Sequence, residues 1–200
     1  IKNPFPTTTM NYNDAKQFIL KKLEKELNPN LFYHGLHHTL DVLSITEDLC
    51  IAENISPYET ILLKTAALFH DSGFTINNQN HEALGCELAQ EYLPTFGYSN
   101  QEINRICGMI MATKIPQAPK NLLEKIICDA DLDYLGTDLF YPVGQLLFQE
   151  LKTYGKIKTE KEWDAMQVSF LKSHSYHTEF AQAHREPIKQ KHLRELINKT

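Results

Sequence analysis

Four residues in the first two-thirds of the chain, His38, the adjacent pair His70-Asp71, and Asp131, have the types needed to hold one divalent cation. Two imidazoles and two carboxylates leave part of the coordination sphere open, which is what metal-assisted hydrolysis requires. Three histidines crowd the segment around Tyr33, so helical phase must choose between them. His38 aligns with Val42, Ile45 and Leu49 at steps of four, three and four, the apolar stripe of its segment, whereas His37 aligns with Asp41, Ser44 and Asp48. His38 therefore points inward and His37 outward. The same test applied to the acids near residue 130 puts Asp131 in line with Leu123, Ile127 and Leu135, with Asp129 and Asp133 on a neighbouring face. Asp129 is then placed to orient a ligand imidazole. Taken singly, each residue has a plainer explanation, a hydrogen-bonded core histidine or a carboxylate met by a buried donor. What favours a metal site is the set.

Helices must carry these residues. Apolar positions recur at helical spacing almost throughout, and strand-like alternation is nearly absent. Ser56 to Glu59, Ser99 to Glu102 and Thr159 to Glu162 each fit the capping box, the first with Pro57 at the opening helical position. Gly136 suits a left-handed stop after Leu135, and Pro94 with Gly97 closes the helix that starts near Asn80. Helices are expected near 13–27, 36–54, 57–70, 80–93, 100–113, 119–135, 138–154, 160–173 and 178–198. The expectation is one all-α domain spanning 1–200, a helical bundle. Its third helix, Ile61 to Phe69, is apolar nearly all round and should run through the middle before ending abruptly in His70-Asp71. A carboxylate there needs a cation or strong donors to offset desolvation.

At 200 residues and 42% hydrophobic content the chain can bury a single sizeable core. A formal net charge of -5 with interspersed signs argues against duplex nucleic acid as partner. No apolar run approaches a membrane span, and Ile1 to Met10 lack the pattern of a signal peptide, so a cytoplasmic location with no membrane partner is expected. The polar start Asn3 to Thr9 is the nearest thing to a linker. Cys50, Cys86, Cys107 and Cys128 form no CxxC pair and fit reduced core residues.

In their surroundings these residues resemble the HD superfamily of metal-dependent phosphohydrolases, whose pattern is His, then His-Asp, then a distant Asp on a helical bundle. The segment Tyr33-His34-Gly35-Leu36-His37-His38-Thr39 is similar to the one carrying the family's first ligand, at His38. Ala66 to Gly73 is similar to its central motif and Asp129 to Gly136 to its closing motif, with the ligand at Asp131. The likeness covers about 31–136; the remaining third, helices 138–198, carries no such signature. It implies hydrolysis of a phosphoester in a small nucleotide-like substrate, with Mn, Fe, Co, Zn or Mg in the site. His81 is the only histidine between Asp71 and Asp131, whereas two-metal subgroups supply more. One ion is thus favoured over two, and the di-iron oxygenase branch is disfavoured.

Around the ion, Asp71 is also assigned to catalysis, together with His81 as general acid and Lys114. His34, Glu82 and Lys114 are assigned to substrate, since His81 and Glu82 open a helix whose N-terminus favours anions. His174, His177 and His184 fit no single helix face and are expected in solvent. Trp163, Phe170 and Leu171 are assigned to core, and Glu160 and Glu162 to capping. The rival reading is a regulatory, nucleotide-sensing bundle without turnover. A structural metal domain is disfavoured because such zinc sites typically use cysteines. Oligomeric state, metal identity and phosphoester type stay open.

Overall fold

The computed structural model describes residues 9–199, and the linker-like start is outside them apart from Thr9. Among these residues there are ten α-helices and no strand. They are α1 (Tyr12–Glu26), α2 (Leu36–Ala52), α3 (Pro57–Phe69), α4 (His81–Tyr92), α5 (Asn100–Ala112), α6 (Leu122–Asp131), α7 (Phe140–Thr153), α8 (Glu160–Ser173), α9 (Glu179–His184) and α10 (Glu186–Lys199). The all-α expectation holds. No helix is long and apolar enough to cross a membrane.

The starts are chemical. Ser56, Ser99 and Thr159 each accept the backbone N–H three residues on, and at Ser99 and Thr159 the glutamate returns the bond to complete the box. α3 is the centre: Leu62, Leu63, Ala66, Ala67, Leu68 and Phe69 are fully buried, with α1, α2, α5 and α6 packed around them. Such a helix leaves its C-terminus deep inside the protein, so His70 and Asp71 begin their chemistry already desolvated. A second cluster, Leu132, Leu135, Phe140, Leu171, Tyr176, Leu193 and Leu196, fastens α8 and α10 to the turn after α6. Cys50, Cys86 and Cys128 are buried free thiols and Cys107 is half-buried, as expected of reduced core residues.

Three boundaries differ from expectation. α6 ends at Asp131, four residues early, and a 3-10 turn follows over Asp133–Gly136. There the Tyr176 hydroxyl bonds the carbonyls of Leu132 and Asp133 at 3.0 and 3.1 Å, so a distant segment takes acceptors that a continuing helix would have used. Gly136 is not left-handed; it is needed because a Cβ would lie 2.5 Å from the Arg185 carbonyl oxygen. Gly97, at φ +81°, does close its turn in the left-handed region. The last predicted helix is two, α9 and α10, with Pro187 in the opening turn of the second. Its ring and missing N–H forbid continuation from α9, a signal present in the sequence.

Candidate metal centre and adjoining cavity

α2 supplies His38 one turn from its start, where Gly35 caps the helix and accepts the His38 N–H at 3.0 Å. His38 is buried, with the Tyr33 ring 4.5 Å away, while His37 is exposed. His70 caps the C-terminus of α3, and its Nδ1 lies 2.8 Å from the Ala67 carbonyl. A carbonyl only accepts, so Nδ1 carries the proton and Nε2 presents a lone pair. That lone pair faces His38 Nε2 at 3.4 Å, Asp71 Oδ2 at 3.2 Å and Asp131 Oδ1 at 3.5 Å. His38 Nε2 is itself 3.0 Å from Asp131 Oδ1 and 3.5 Å from Asp71 Oδ2.

Two ring nitrogens and two carboxylate oxygens thus meet between α2, α3 and α6, and Asp71 Oδ2 is buried without a hydrogen-bond partner. Such a site demands positive charge. Burial opposes a charged His70, yet Asp71 and Asp131 outweigh it and raise the imidazole well above its ordinary range. Burial equally opposes ionisation of Asp71 and Asp131, but the imidazoles hold Asp71 far below the usual carboxylate range and Asp131 at about 2. A divalent ion meets the same demand. Ligand atoms about 2.1 Å from an ion lie about 3.0 Å apart at an octahedral angle and about 3.4 Å at a tetrahedral one, which the observed separations match. The donor atoms of His38, His70 and Asp71 all lie within 4.8 Å of one another, and Asp131 Oδ1 approaches both imidazoles from the end of α6. The donor set fits an ion of the imidazole-and-carboxylate class.

Beside this cluster lies a cavity of about 200 Å³. Asp71, Asp131, His34, His81 and Glu82 line one end. His81 opens α4 with Nε2 3.5 Å from both Asp71 Oδ1 and Glu82 Oε1. Gly73 makes that approach feasible: a Cβ there would collide with the His81 carbonyl. Phe74 stacks on both His81 and His34, with centroids 4.1 and 4.4 Å away, while the two imidazoles are 6.2 Å apart. Burial outweighs Asp71 and Glu82 and lowers the His81 imidazole below its usual value.

Glu150, on α7, escaped sequence reasoning. It is buried, its Oε2 accepts the N–H groups of Tyr33 and His34 at 2.8 and 3.1 Å, and its Oε1 lies 2.5 Å from His34 Nδ1. Burial works against charge at both partners, but their bond raises His34 and lowers Glu150. The signal was available: Glu150 follows Val143 and Leu147 at steps of four and three, the phase test that selected His38 and Asp131.

Other expectations are corrected. Lys114 is exposed, and the cavity wall beside it is made by Thr113 and Ile115 instead. Asp129 orients no ligand imidazole; it accepts the N–H groups of His177 and Thr178 at 2.7 to 3.1 Å, tying the start of α9 to α6. His174 and His177 are half-buried rather than solvated, while His184 is exposed. Trp163, Phe170 and Leu171 pack as core but also line the cavity.

The HD domain family matches residues 35–133, the stretch holding all four candidate ligands. No curated protein matches the chain. Two solved structures share the fold: a predicted HD superfamily hydrolase from an uncultured Thermotogales bacterium, and Bacillus subtilis YpgQ in complex with ADP. The first is 19% identical with a TM-score of 0.61, covering 94% of this chain and 89% of its own. The second is 17% identical with a TM-score of 0.65, covering 98% and 97%. Residues 35–133 are thus an HD domain, carried in a fold that both structures share.

Proposed function

We propose that the chain is a metal-dependent phosphohydrolase that cleaves a phosphoester of a small nucleotide-like substrate. The observation carrying this reading is the buried, donor-less Asp71 Oδ2 set among His38, His70 and Asp131 next to an accessible cavity. These four residues would hold one ion of Mn, Fe, Co, Zn or Mg. When bound, such an ion lowers the pKa of water toward about 7 and polarises a phosphoryl oxygen.

The chain's own groups do the rest. Glu150 engages His34 Nδ1, which leaves Nε2 free to hydrogen-bond a phosphoryl oxygen. His81, beside Asp71, handles the proton of the leaving oxygen, and Glu82 acts through His81 rather than on the phosphate, since two anions in contact would repel. Phe74, in contact with both rings, holds their orientation. That a protein of the same fold was solved with ADP supports a nucleotide-like substrate.

The test is hydrolysis of aryl phosphoesters, nucleoside mono- and triphosphates and cyclic nucleotides with several added metals, beside an Asp71→Ala variant. Turnover that needs metal and Asp71 is expected. Stoichiometric metal with no turnover on any of them would leave the regulatory reading instead.

A further inference from the structure

The cavity does not stop at the metal cluster. Its far end is built from α8, where Trp163, Met166 and Phe170 fall at steps of three and four on one face, opposite Leu147 of α7 and close to Ile115. Among these apolar walls stands one carboxamide. Gln167 lines the cavity and is only 8% exposed, and its carboxamide has no hydrogen-bond partner among the described residues. Its amide atoms are not among the fully enclosed unpartnered ones, so the cavity is where they meet a partner, and a ligand there would supply it. Gly144 of α7 makes room for it: a Cβ there would lie 3.1 Å from Gln167 Nε2.

We propose that this α8 chamber is a specificity pocket for a flat heteroaromatic group on the substrate, with Gln167 reading the donor–acceptor edge of that ring. The proposal rests on the phosphoester reading for the direction in which the substrate lies. An alkyl group would suit Trp163, Met166 and Phe170 but leave Gln167 unpaired. A bare sugar would set its hydroxyls against apolar walls. A planar ring satisfies both, because aromatic side chains offer faces to it and a carboxamide presents a donor and an acceptor in one plane. α8 lies beyond residues 35–133, so selectivity would be carried by the part of the chain outside the family match.

Trp163 is the only tryptophan, so its fluorescence reports on the chamber. The wild-type chain is titrated with unphosphorylated nucleosides, with ribose and with inorganic phosphate. A saturable change in emission with at least one nucleoside, and none with ribose or phosphate, is expected. Gln167→Leu should weaken the preferred nucleoside about tenfold and flatten the ranking of bases, with an unchanged circular dichroism spectrum. Should that variant fail to fold, Met166→Asp, at a position 42% exposed, should weaken nucleoside binding about fivefold. No response to any nucleoside, or wild-type affinities in the variant that folds, would overturn the proposal. Nucleoside binding without hydrolysis of any phosphoester sinks the phosphohydrolase reading alone; equal turnover of nucleotides and ribose 5-phosphate sinks this one alone.

Discussion

Both halves of the molecule bury charge, and they treat it in opposite ways. Between α2 and α6 two imidazole nitrogens and two carboxylates crowd together, and one carboxylate oxygen has no hydrogen-bond partner. In the C-terminal third the buried formal charges have their complements, although Nε2 of His174 and of His177 is left without a hydrogen-bond partner. Lys189, fully buried, donates to the His174 carbonyl and to Glu186 Oε2 at 2.9 Å. Arg185 meets Asp133 at 2.6 Å, and Asp129 receives the amides of His177 and Thr178. Satisfied buried charge clamps; unsatisfied buried charge waits for a ligand. Glu150 also crosses between the two, since it sits on α7 but serves His34.

That contrast can be broken at several points. Asp71→Ala should remove bound metal and lower kcat/KM at least ~10³-fold with the fold intact, read by elemental analysis and aryl phosphoester turnover. His38, His70 and Asp131 should behave alike. Lys189→Ala should do the reverse, costing about 3 kcal/mol in a denaturant melt while metal content stays at wild type. Metal loss in that variant would mean that the two regions are not separable.

The next effect depends on pH. Burial, followed by the Lys189 charge, lowers the His174 imidazole from 6.5 to about 4. Between those values the unfolded chain binds more protons than the folded one, so stability is full above 6.5 and drains as pH falls toward 4. His174→Asn keeps an acceptor for Lys189 but cannot titrate. Its stability should therefore fall less over that window, by on the order of 2 kcal/mol, in melts run from pH 7 to 4. Glu150→Gln should lower kcat ~10-fold with metal content unchanged, and an effect on KM alone would argue that His34 only binds substrate. His37→Ala should alter neither metal nor turnover, because the ring is exposed; an emptied site there would reverse the phase assignment.

Helical phase distinguished inward His38 from outward His37 because burial on a helix follows a 3.6-residue period that a single sequence displays. Capping boxes at Ser99 and Thr159 were legible for a similar reason, being local chemistry over four residues. Asp129 was misassigned because its partners, the amides of His177 and Thr178, come from some fifty residues away. Nothing local distinguishes a carboxylate that orients a ligand from one that caps a remote helix. Lys114 failed similarly: proximity along the chain to α5's end said nothing about which side of that end faces the cavity.

From the sequence by itself came the all-α class, the inward and outward faces of each helix, and the residue types able to bind an ion, all of which are set by short-range periodicity and chemistry. Only the tertiary structure decided that three helices bring those atoms within 3.0 to 3.5 Å, that Glu150 grips His34, and that α8 walls the cavity. Each of these joins segments far apart in the chain, and packing between helices, which carries no local period, determines which of them meet.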